Sequence, residues 1–179
     1  AGRYVVMATA GGVIKKTALP EFEMHNKNGK RAIILDEGDE LVGVALSDGE
    51  HDVMLVSSLG RCIRFSEGDV RGTGRSSRGI GGMRLPEGAK VLSMAVVKDE
   101  AQMLLVACEN GYGKCTPVSE FTRHGRNTMG VTAINASERN GAVVGALLVT
   151  PDDSVLLLTS SGMVIRTGGH AISVTGRIA

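Results

Sequence analysis

Short apolar runs alternate with glycine-containing polar turns along the whole chain, and the same unit recurs four times. In the first copy, the apolar run Val5–Ala10 leads through a pair of glycines to a second strand-like run that carries Lys15 and Lys16. The equivalent turn of each copy contains an anchor glycine, and these are Gly12, Gly60, Gly111 and Gly162, at spacings of 48, 51 and 51 residues. Short runs rich in Val, Ile and Leu and bounded by such turns predict β-strands joined by tight hairpins.

Each complete unit closes on a further apolar strand, seen at residues 41–44, 91–94 and 143–146. A Gly-Arg pair keeps the same period, at Gly74–Arg75, Gly125–Arg126 and Gly176–Arg177. No segment has a sustained helical periodicity. A period near 50 residues with about four short strands per unit is typical of a propeller blade. We therefore predict an all-β, propeller-like disc of four-stranded blades, because a single small sheet has open edges and must stack on its neighbours.

The predicted organisation is one domain of repeated blades over residues 1–179. The repeats cover approximately residues 1–50, 51–100 and 101–152, and a partial fourth repeat covers residues 153–179. Because the fourth repeat stops before its closing strand, we expect an incomplete ring.

Composition argues against several classes of protein. The 179 residues are 42% hydrophobic and 22% charged, and no apolar run approaches the roughly 18 residues that a membrane-spanning helix needs. The cysteines Cys62, Cys108 and Cys115 are odd in number and lack metal-ligand spacing, which indicates reduced thiols. No nucleophile, base and orienting group form a catalytic pattern, and no phosphate-binding loop of the nucleotide-binding type is present. We expect no catalysis, no metal site and no cofactor in this chain.

The net charge is only +1, but the charges are segregated along each repeat. Residues 36–52 contain seven acidic side chains and no Lys or Arg, whereas residues 61–84 contain six arginines and two acids. Because stacked repeats place equivalent positions on the same surface, the cations are expected to form a belt near one edge of the disc. The predicted phosphate contacts are Lys15, Lys16, Lys30, Arg31, Arg64, Arg71, Arg75, Arg78, Lys114, Arg123, Arg126 and Arg177.

The loops at residues 71–79 and 123–130 combine cations, hydroxyl groups and flexible backbone, all of which can bind phosphate oxygens. In a purely structural interpretation, glycine serves the tight turns and arginine serves solubility. Recurrence at one period favours the binding interpretation. Because neither a recognition helix nor stacking aromatic residues accompany the cations, base-specific recognition is not indicated.

Five segments resemble the C-terminal domain of DNA gyrase A, part of a bacterial type IIA topoisomerase. They are Ala10–Thr17, Asp36–Val44, Asn110–Lys114, Ser137–Gly141 and Ile172–Arg177, and the resemblance extends over essentially the whole chain. It implies a β-pinwheel, in which neighbouring blades exchange strands and duplex DNA wraps around a basic rim. It also implies a role in ATP-dependent negative supercoiling by the holoenzyme, together with the rest of gyrase A and with gyrase B. ATP and Mg²⁺ would act elsewhere in that assembly, which is cytoplasmic, associated with the bacterial chromosome and not bound to a membrane.

The chain differs from the family pattern in lacking a glycine-rich basic heptapeptide of the type Gln-Arg-Arg-Gly-Gly-Lys-Gly. The family domain typically has six blades, so the resemblance implies that this chain begins near the third. Two alternatives are the equivalent domain of topoisomerase IV, which belongs to a decatenating enzyme, and a propeller-type module that binds a protein partner on its disc face. The Asn110–Lys114 and Glu138–Gly141 segments favour gyrase.

Overall fold

The computed structural model describes residues 2–23, 27–168 and 172, and this part of the chain contains thirteen strands and three short 3₁₀ turns. The strands are β1 (Tyr4–Thr9), β2 (Val13–Ala18), β3 (Leu41–Ser47), β4 (Asp52–Ser57), β5 (Arg61–Ser66), β6 (Ile80–Gly81), β7 (Val91–Val97), β8 (Met103–Cys108), β9 (Gly113–Pro117), β10 (Val131–Thr132), β11 (Val143–Val149), β12 (Ser154–Leu158) and β13 (Val164–Gly168). The 3₁₀ turns are Leu19–Phe22, Glu67–Asp69 and Val118–Glu120. Each turn follows the second strand of its repeat.

Each of the first two sheets takes three strands from one repeat and its fourth strand from the next repeat. The strand orders are β3-β1-β2-β6 and β10-β5-β4-β7. Ile80 in β6 lies opposite Ile14 in β2, and Val131 in β10 lies opposite Cys62 in β5. This exchange of strands makes the fold a β-pinwheel and confirms the predicted all-β class. The other described strands of the third repeat form the sheet β11-β8-β9, and those of the fourth form the hairpin β12-β13.

The closing strands of the first three repeats lie side by side at the centre of the disc. β3 contacts β7, and β7 contacts β11. The approach of β3 to β7 requires a small residue, because a Cβ atom added to Gly43 would lie 2.7 Å from the Cβ of Met94. On the other side of β7, the Ala146 amide donates to Ser93 Oγ at 3.1 Å. Because β6 and β10 occupy the sheet edges opposite β3 and β7, the exchanged strands lie at the outer rim.

The first strand of the second repeat, β4, is buried on both faces. Val53 and Leu55 belong to a cluster that includes Val6 of the first blade. Met54 belongs to a second cluster that includes Leu104 of the third blade. A strand that is covered on both faces has an unbroken apolar run instead of an alternating one. The stacking of blades therefore explains why the apolar runs of this sequence show no period of two.

Two glycines in the left-handed conformation allow the exchanged strands to approach the preceding blade. The φ angle is 90° at Gly79 and 72° at Gly130. A Cβ atom added to Gly79 would lie 2.6 Å from the carbonyl oxygen of Ile14, and one added to Gly130 would lie 2.5 Å from that of Cys62. Both positions require glycine, for the backbone conformation and for the close approach.

Candidate nucleic-acid interface

The exchanged strands are preceded by loops that run along the outer rim and lie on the preceding blade. In the first rim segment, residues 71–81, the Thr73 amide donates to the carbonyl of Lys16 at 2.9 Å. The Ser77 carbonyl of the same segment accepts from the Ile34 amide at 2.9 Å. The backbone of this segment is therefore bonded both to β2 and to the loop that leads to β3.

The second rim segment, residues 123–132, repeats these contacts one blade further along. Its His124 amide donates to the carbonyl of Arg64 at 2.9 Å, and its Thr128 carbonyl accepts from the Arg84 amide at 2.9 Å. Each segment thus overlaps the one before it. The loop before β3 (residues 27–40), the two rim segments, and residues 82–84, which bond to the second segment, form a continuous ribbon along the disc edge, which we call the rim ribbon.

One arginine occupies the same place in each rim segment. Arg75 donates from Nη1 to the carbonyl of Arg31 at 2.9 Å, and Arg126 donates from Nη1 to the carbonyl of Gly81 at 2.7 Å. Both arginines are partly exposed. The backbone contact fixes each guanidinium at the surface, where it is preorganised for a charge-assisted hydrogen bond to a phosphate.

The other exposed cations of the predicted set also lie on the rim ribbon, and they are Lys30, Arg31, Arg71, Arg78 and Arg123. Two of them have carboxylate partners. Arg78 Nη1 lies 2.8 Å from Asp36 Oδ1, and both side chains are more than half exposed. Arg123 Nη2 lies 2.9 Å from Asp52 Oδ1, but here the carboxylate is buried. A phosphate can therefore compete with Asp36 for Arg78, whereas a carboxylate beneath the surface holds Arg123.

Four cations of the predicted set are buried instead of exposed, and they are Lys15, Lys16, Arg64 and Lys114. The prediction that these side chains contact phosphate is corrected by the structure. The physical reason is that the second strand is covered on both faces in each of the first three blades, so that side chains on neither face of this strand reach the surface. Lys16 and Arg64 have carboxylate partners within the protein. Lys16, for example, lies 4.7 Å from the centre of the Tyr4 ring and 3.8 Å from Glu67 Oε1.

Lys16 and Arg64 occupy the same position in successive repeats and make the same contact across the blade interface. Lys16 Nζ donates to the carbonyl of Glu67 at 3.0 Å, and Arg64 Nη1 donates to the carbonyl of Val118 at 2.8 Å. Glu67 and Val118 each begin the 3₁₀ turn of the following blade. The two cations therefore join neighbouring blades through a backbone carbonyl.

Arg64 also has two carboxylate partners. Its Nε atom lies 2.8 Å from Asp52 Oδ2, and its Nη2 atom is bonded to Glu100. Burial opposes the charged form of Arg64, but the hydrogen bonds to Glu100 and Asp52 raise the pKa of its guanidinium overall. Arg64 is therefore a fixed cation of the blade interface.

The structure adds two arginines to the rim ribbon that sequence reasoning did not select. Arg84 is exposed and its amide is bonded to the second rim segment. Arg61 donates to the carbonyls of Met129 at 3.1 Å and Gly130 at 2.6 Å. Both fall in the arginine-rich stretch at residues 61–84, which is the signal that could have selected them. Arg177 lies outside the described residues.

The family described as "DNA gyrase C-terminal domain, beta-propeller" matches the chain at residues 3–48, 51–98, 102–150 and 153–179. The chain belongs to this family. It is 44% identical to DNA gyrase A of Pseudomonas aeruginosa and 46% identical to that of Escherichia coli, over 176 residues and 98% of the chain in each case. The chain spans about a fifth of the length of these relatives.

Two solved structures of C-terminal domains have the same fold as this gyrase-family chain. A DNA gyrase A C-terminal domain superimposes with a TM-score of 0.87 and 30% identity, covering 98% of this chain and 59% of that chain. The C-terminal domain of a DNA topoisomerase IV superimposes with a TM-score of 0.93 and 25% identity, covering 99% of this chain and 55% of that chain.

The groups that this gyrase-family domain presents at its rim include guanidinium, ammonium, hydroxyl and backbone groups, beside the carboxylate of Asp36. Among residues 2–23, 27–168 and 172, no three His, Cys, Asp or Glu side chains are placed to bind a metal ion, and no helix could cross a bilayer. The three cysteines are free and buried, and burial raises the pKa of each thiol. The exposed cations of the rim ribbon are therefore the groups that can bind a ligand at this site.

Proposed function

We propose that the chain is a non-catalytic DNA-binding and DNA-wrapping domain of DNA gyrase A, which bends duplex DNA around its rim. The observation that carries this proposal is the rim ribbon, on which cations from successive repeats follow the disc edge. They are Lys30, Arg31, Arg71, Arg75, Arg78, Arg84, Arg123 and Arg126. A duplex that bends along the edge neutralises more of these charges than one that crosses it, and the additional contacts offset the energy of bending.

The turns that connect successive blades carry the opposite charge. Each has two exposed acidic side chains, namely Asp48 and Glu50, Asp99 and Glu100, and Asp152 and Asp153. Because equivalent turns of stacked blades lie on the same face, this face of the disc repels a polyanion. Although the net charge is only +1, the separation of cations on the rim from acids on the turns favours DNA binding at the rim over binding on the face.

The groups on the rim ribbon recognise the DNA backbone and not the bases. Cations and main-chain amides bind phosphates of any sequence, and no helix in the described part of the chain could enter a major groove. We therefore propose that binding depends strongly on salt and weakly on sequence.

In the whole protein, this domain would act with the rest of gyrase A and with gyrase B. There it would support ATP-dependent negative supercoiling of the bacterial chromosome in the cytoplasm. ATP and Mg²⁺ would bind outside this chain, which would itself take no cofactor. The identity of 44% and 46% to two gyrase A proteins supports this wider role.

The test of DNA binding is a titration of the chain with two unrelated duplexes over a series of salt concentrations. The logarithm of affinity should fall linearly with the logarithm of salt, by roughly 0.9 per phosphate neutralised, and equally for both duplexes. Replacing both Arg75 and Arg126 by Ala should reduce that slope by roughly 1.8 without unfolding the domain.

The matched control is the double variant Arg3→Ala/Lys98→Ala, which also removes two exposed cations, one just before β1 and one just after β7, outside the rim ribbon. It should leave the slope unchanged. An unchanged slope in the Arg75/Arg126 variant would remove these two arginines from the DNA path. No binding even at low salt would instead favour a protein-interaction propeller.

Wrapping is tested separately, by closing nicked circular DNA with ligase in the presence of the chain. A wrap of defined hand should shift the linking number of the closed circles. Salt-sensitive binding without a shift would support DNA binding and contradict wrapping by this chain.

The C-terminal domain of topoisomerase IV is the second candidate, because its TM-score to this chain exceeds that of the gyrase domain. The two candidates are distinguished by inserting this chain in place of the corresponding segment of Escherichia coli gyrase A. Retained negative supercoiling would support the gyrase assignment. Loss of supercoiling with retained decatenation would support the topoisomerase IV assignment.

A further inference from the structure

Lys15 has a position that a surface contact does not explain. It is 1% exposed and lies in β2 opposite Met7. Its Nζ atom donates to the carbonyl of Ala32 at 2.6 Å and to the carbonyl of Arg75 at 2.8 Å. The first carbonyl belongs to the loop before β3 and the second to the first rim segment. One ammonium group therefore joins the backbones of two repeats.

The two segments that Lys15 joins place cations from both repeats next to each other. Arg31 is exposed in the loop before β3, and Arg78 is exposed in the first rim segment. Between the two segments, Arg75 donates to the carbonyl of Arg31 at 2.9 Å. The position of Arg75 thus depends on contacts through its side chain and through its own carbonyl, and Lys15 makes the second of these.

An ammonium group at this position is electrostatically unfavourable. Burial and the nearby charge of Arg75 lower the pKa of Lys15, although the carboxylate of Glu21 acts in the opposite direction. The second blade fills the equivalent position with an apolar side chain, Ile63, which lies opposite Leu55 and is buried. The third blade again has a buried lysine there, Lys114, so the fold accepts a cation at this place but does not require one in every blade.

We infer that Lys15 is a positioning residue, which holds the Ala32 and Arg75 carbonyls together and so orients Arg75 toward a DNA phosphate without contacting that phosphate itself. The inference rests on the proposed DNA-binding function. The second rim segment provides an internal comparison, because Arg126 occupies the place of Arg75 there while Ile63 occupies the place of Lys15.

The test is a set of double-mutant cycles on DNA affinity at fixed salt. Lys15→Met keeps the length of the side chain and removes its donors. Alone, it should weaken DNA binding about threefold to fivefold, the effect of losing one exposed charge contact. In the Arg75→Ala background it should change affinity by less than about twofold, because the group that it orients is gone. In the Arg126→Ala background the full effect should remain.

Two further measurements separate positioning from a general structural role. Hydrogen exchange of the Ile34 and Thr73 amides, which bond the first rim segment to its neighbours, should accelerate in Lys15→Met. Exchange of the His124 amide should not change. In the Arg75→Ala background, Lys15→Met should also leave the salt slope of DNA binding unchanged, because a buried ammonium neutralises no phosphate.

Several results would overturn the inference. Additive effects in the Arg75→Ala background, or a further reduction of the salt slope by roughly 0.9, would mean that Lys15 acts on DNA directly. Equal coupling to Arg75 and Arg126 would mean that Lys15→Met loosens the whole domain. If the unmodified chain does not bind DNA at low salt, the proposed function fails, and unchanged exchange at Ile34 would then show separately that Lys15 does not order the rim.

Discussion

The interfaces on the two sides of the second blade share one backbone contact but differ in the charges that surround it. Between the first and second blades, the cation Lys16 faces Glu67, a fully buried carboxylate from the following repeat. Between the second and third blades, the cation Arg64 faces Asp52 from its own blade and the exposed Glu100 from the turn before β8. Both cations nevertheless donate to the first carbonyl of the next 3₁₀ turn. The backbone contact is the same at both interfaces, but the carboxylates that balance the cation come from different segments of the chain.

The third repeat extends this comparison. Cys115 stands at the position of the interface cation, and Met103 stands at the position that Asp52 has in the second blade. Both are buried in an apolar cluster that includes Val155 of the fourth repeat. The same two positions thus hold Lys16 and Tyr4 in the first blade, Arg64 and Asp52 in the second, and two apolar side chains in the third. Both buried cations have a carboxylate partner, because burying an unpaired charge is costly.

The largest expected effect comes from breaking the buried pair of the first interface. Glu67→Ala should reduce the free energy of unfolding by about 3–5 kcal/mol, because it leaves Lys16 buried without a carboxylate. It also removes the acceptors of the Ser47 hydroxyl, at 2.7 Å, and the His51 amide, at 2.9 Å. Urea unfolding monitored by circular dichroism measures the loss.

The matched control in the second interface is Glu100→Ala. The Glu100 side chain is 65% exposed, and an exposed carboxylate contributes at most about 1 kcal/mol. Arg64 also keeps Asp52 when Glu100 is removed. Equal losses for Glu67→Ala and Glu100→Ala would contradict the difference between the two interfaces.

The next largest effect concerns the two glycines at which an exchanged strand approaches the preceding blade. Gly79→Ala and Gly130→Ala should each reduce the free energy of unfolding by about 2 kcal/mol or more, because both require a left-handed conformation and an approach that a Cβ atom prevents. The two losses should be similar, since both residues contact a carbonyl of the preceding blade. Gly125→Ala is the control, because a Cβ atom there meets nothing within 4 Å. A large loss at one position alone would show that the two exchanged strands are held differently.

The glycine positions could be predicted from the sequence, whereas the interface charges could not. The spacing of the anchor glycines predicts the blades, and a second glycine follows the first two Gly-Arg pairs, at Gly79 and Gly130. These features repeat because the backbone path repeats. Because each of these glycines depends only on the path of its own repeat, its recurrence among the copies is enough to identify it.

The partners of Lys15, Lys16 and Arg64 depend on how one blade packs on the next. Lys16 and Glu67 are 51 residues apart and belong to different repeats, and no pattern within a repeat pairs them. A lysine in a strand is normally assigned to the solvent face. That rule fails here because the neighbouring blades cover both faces of the second strand.

The smallest expected effect concerns the two rim arginines that have carboxylate partners. Asp36→Asn should raise the affinity for duplex DNA about twofold, because Asp36 and phosphate compete for Arg78 and an exposed ion pair is weak. The side chains of Arg78 and Asp36 are 69% and 54% exposed, so a phosphate can replace the carboxylate without burying it. Asp152→Asn removes the same charge from an exposed turn off the rim and should change affinity less.

Arg123 differs from Arg78 because its partner Asp52 is buried and is also bonded to Arg64, so the Asp52 carboxylate remains in place when DNA binds. An unchanged affinity in Asp36→Asn, measured by fluorescence anisotropy at fixed salt, would mean that Arg78 does not contact phosphate and that the DNA path leaves the rim ribbon before this residue.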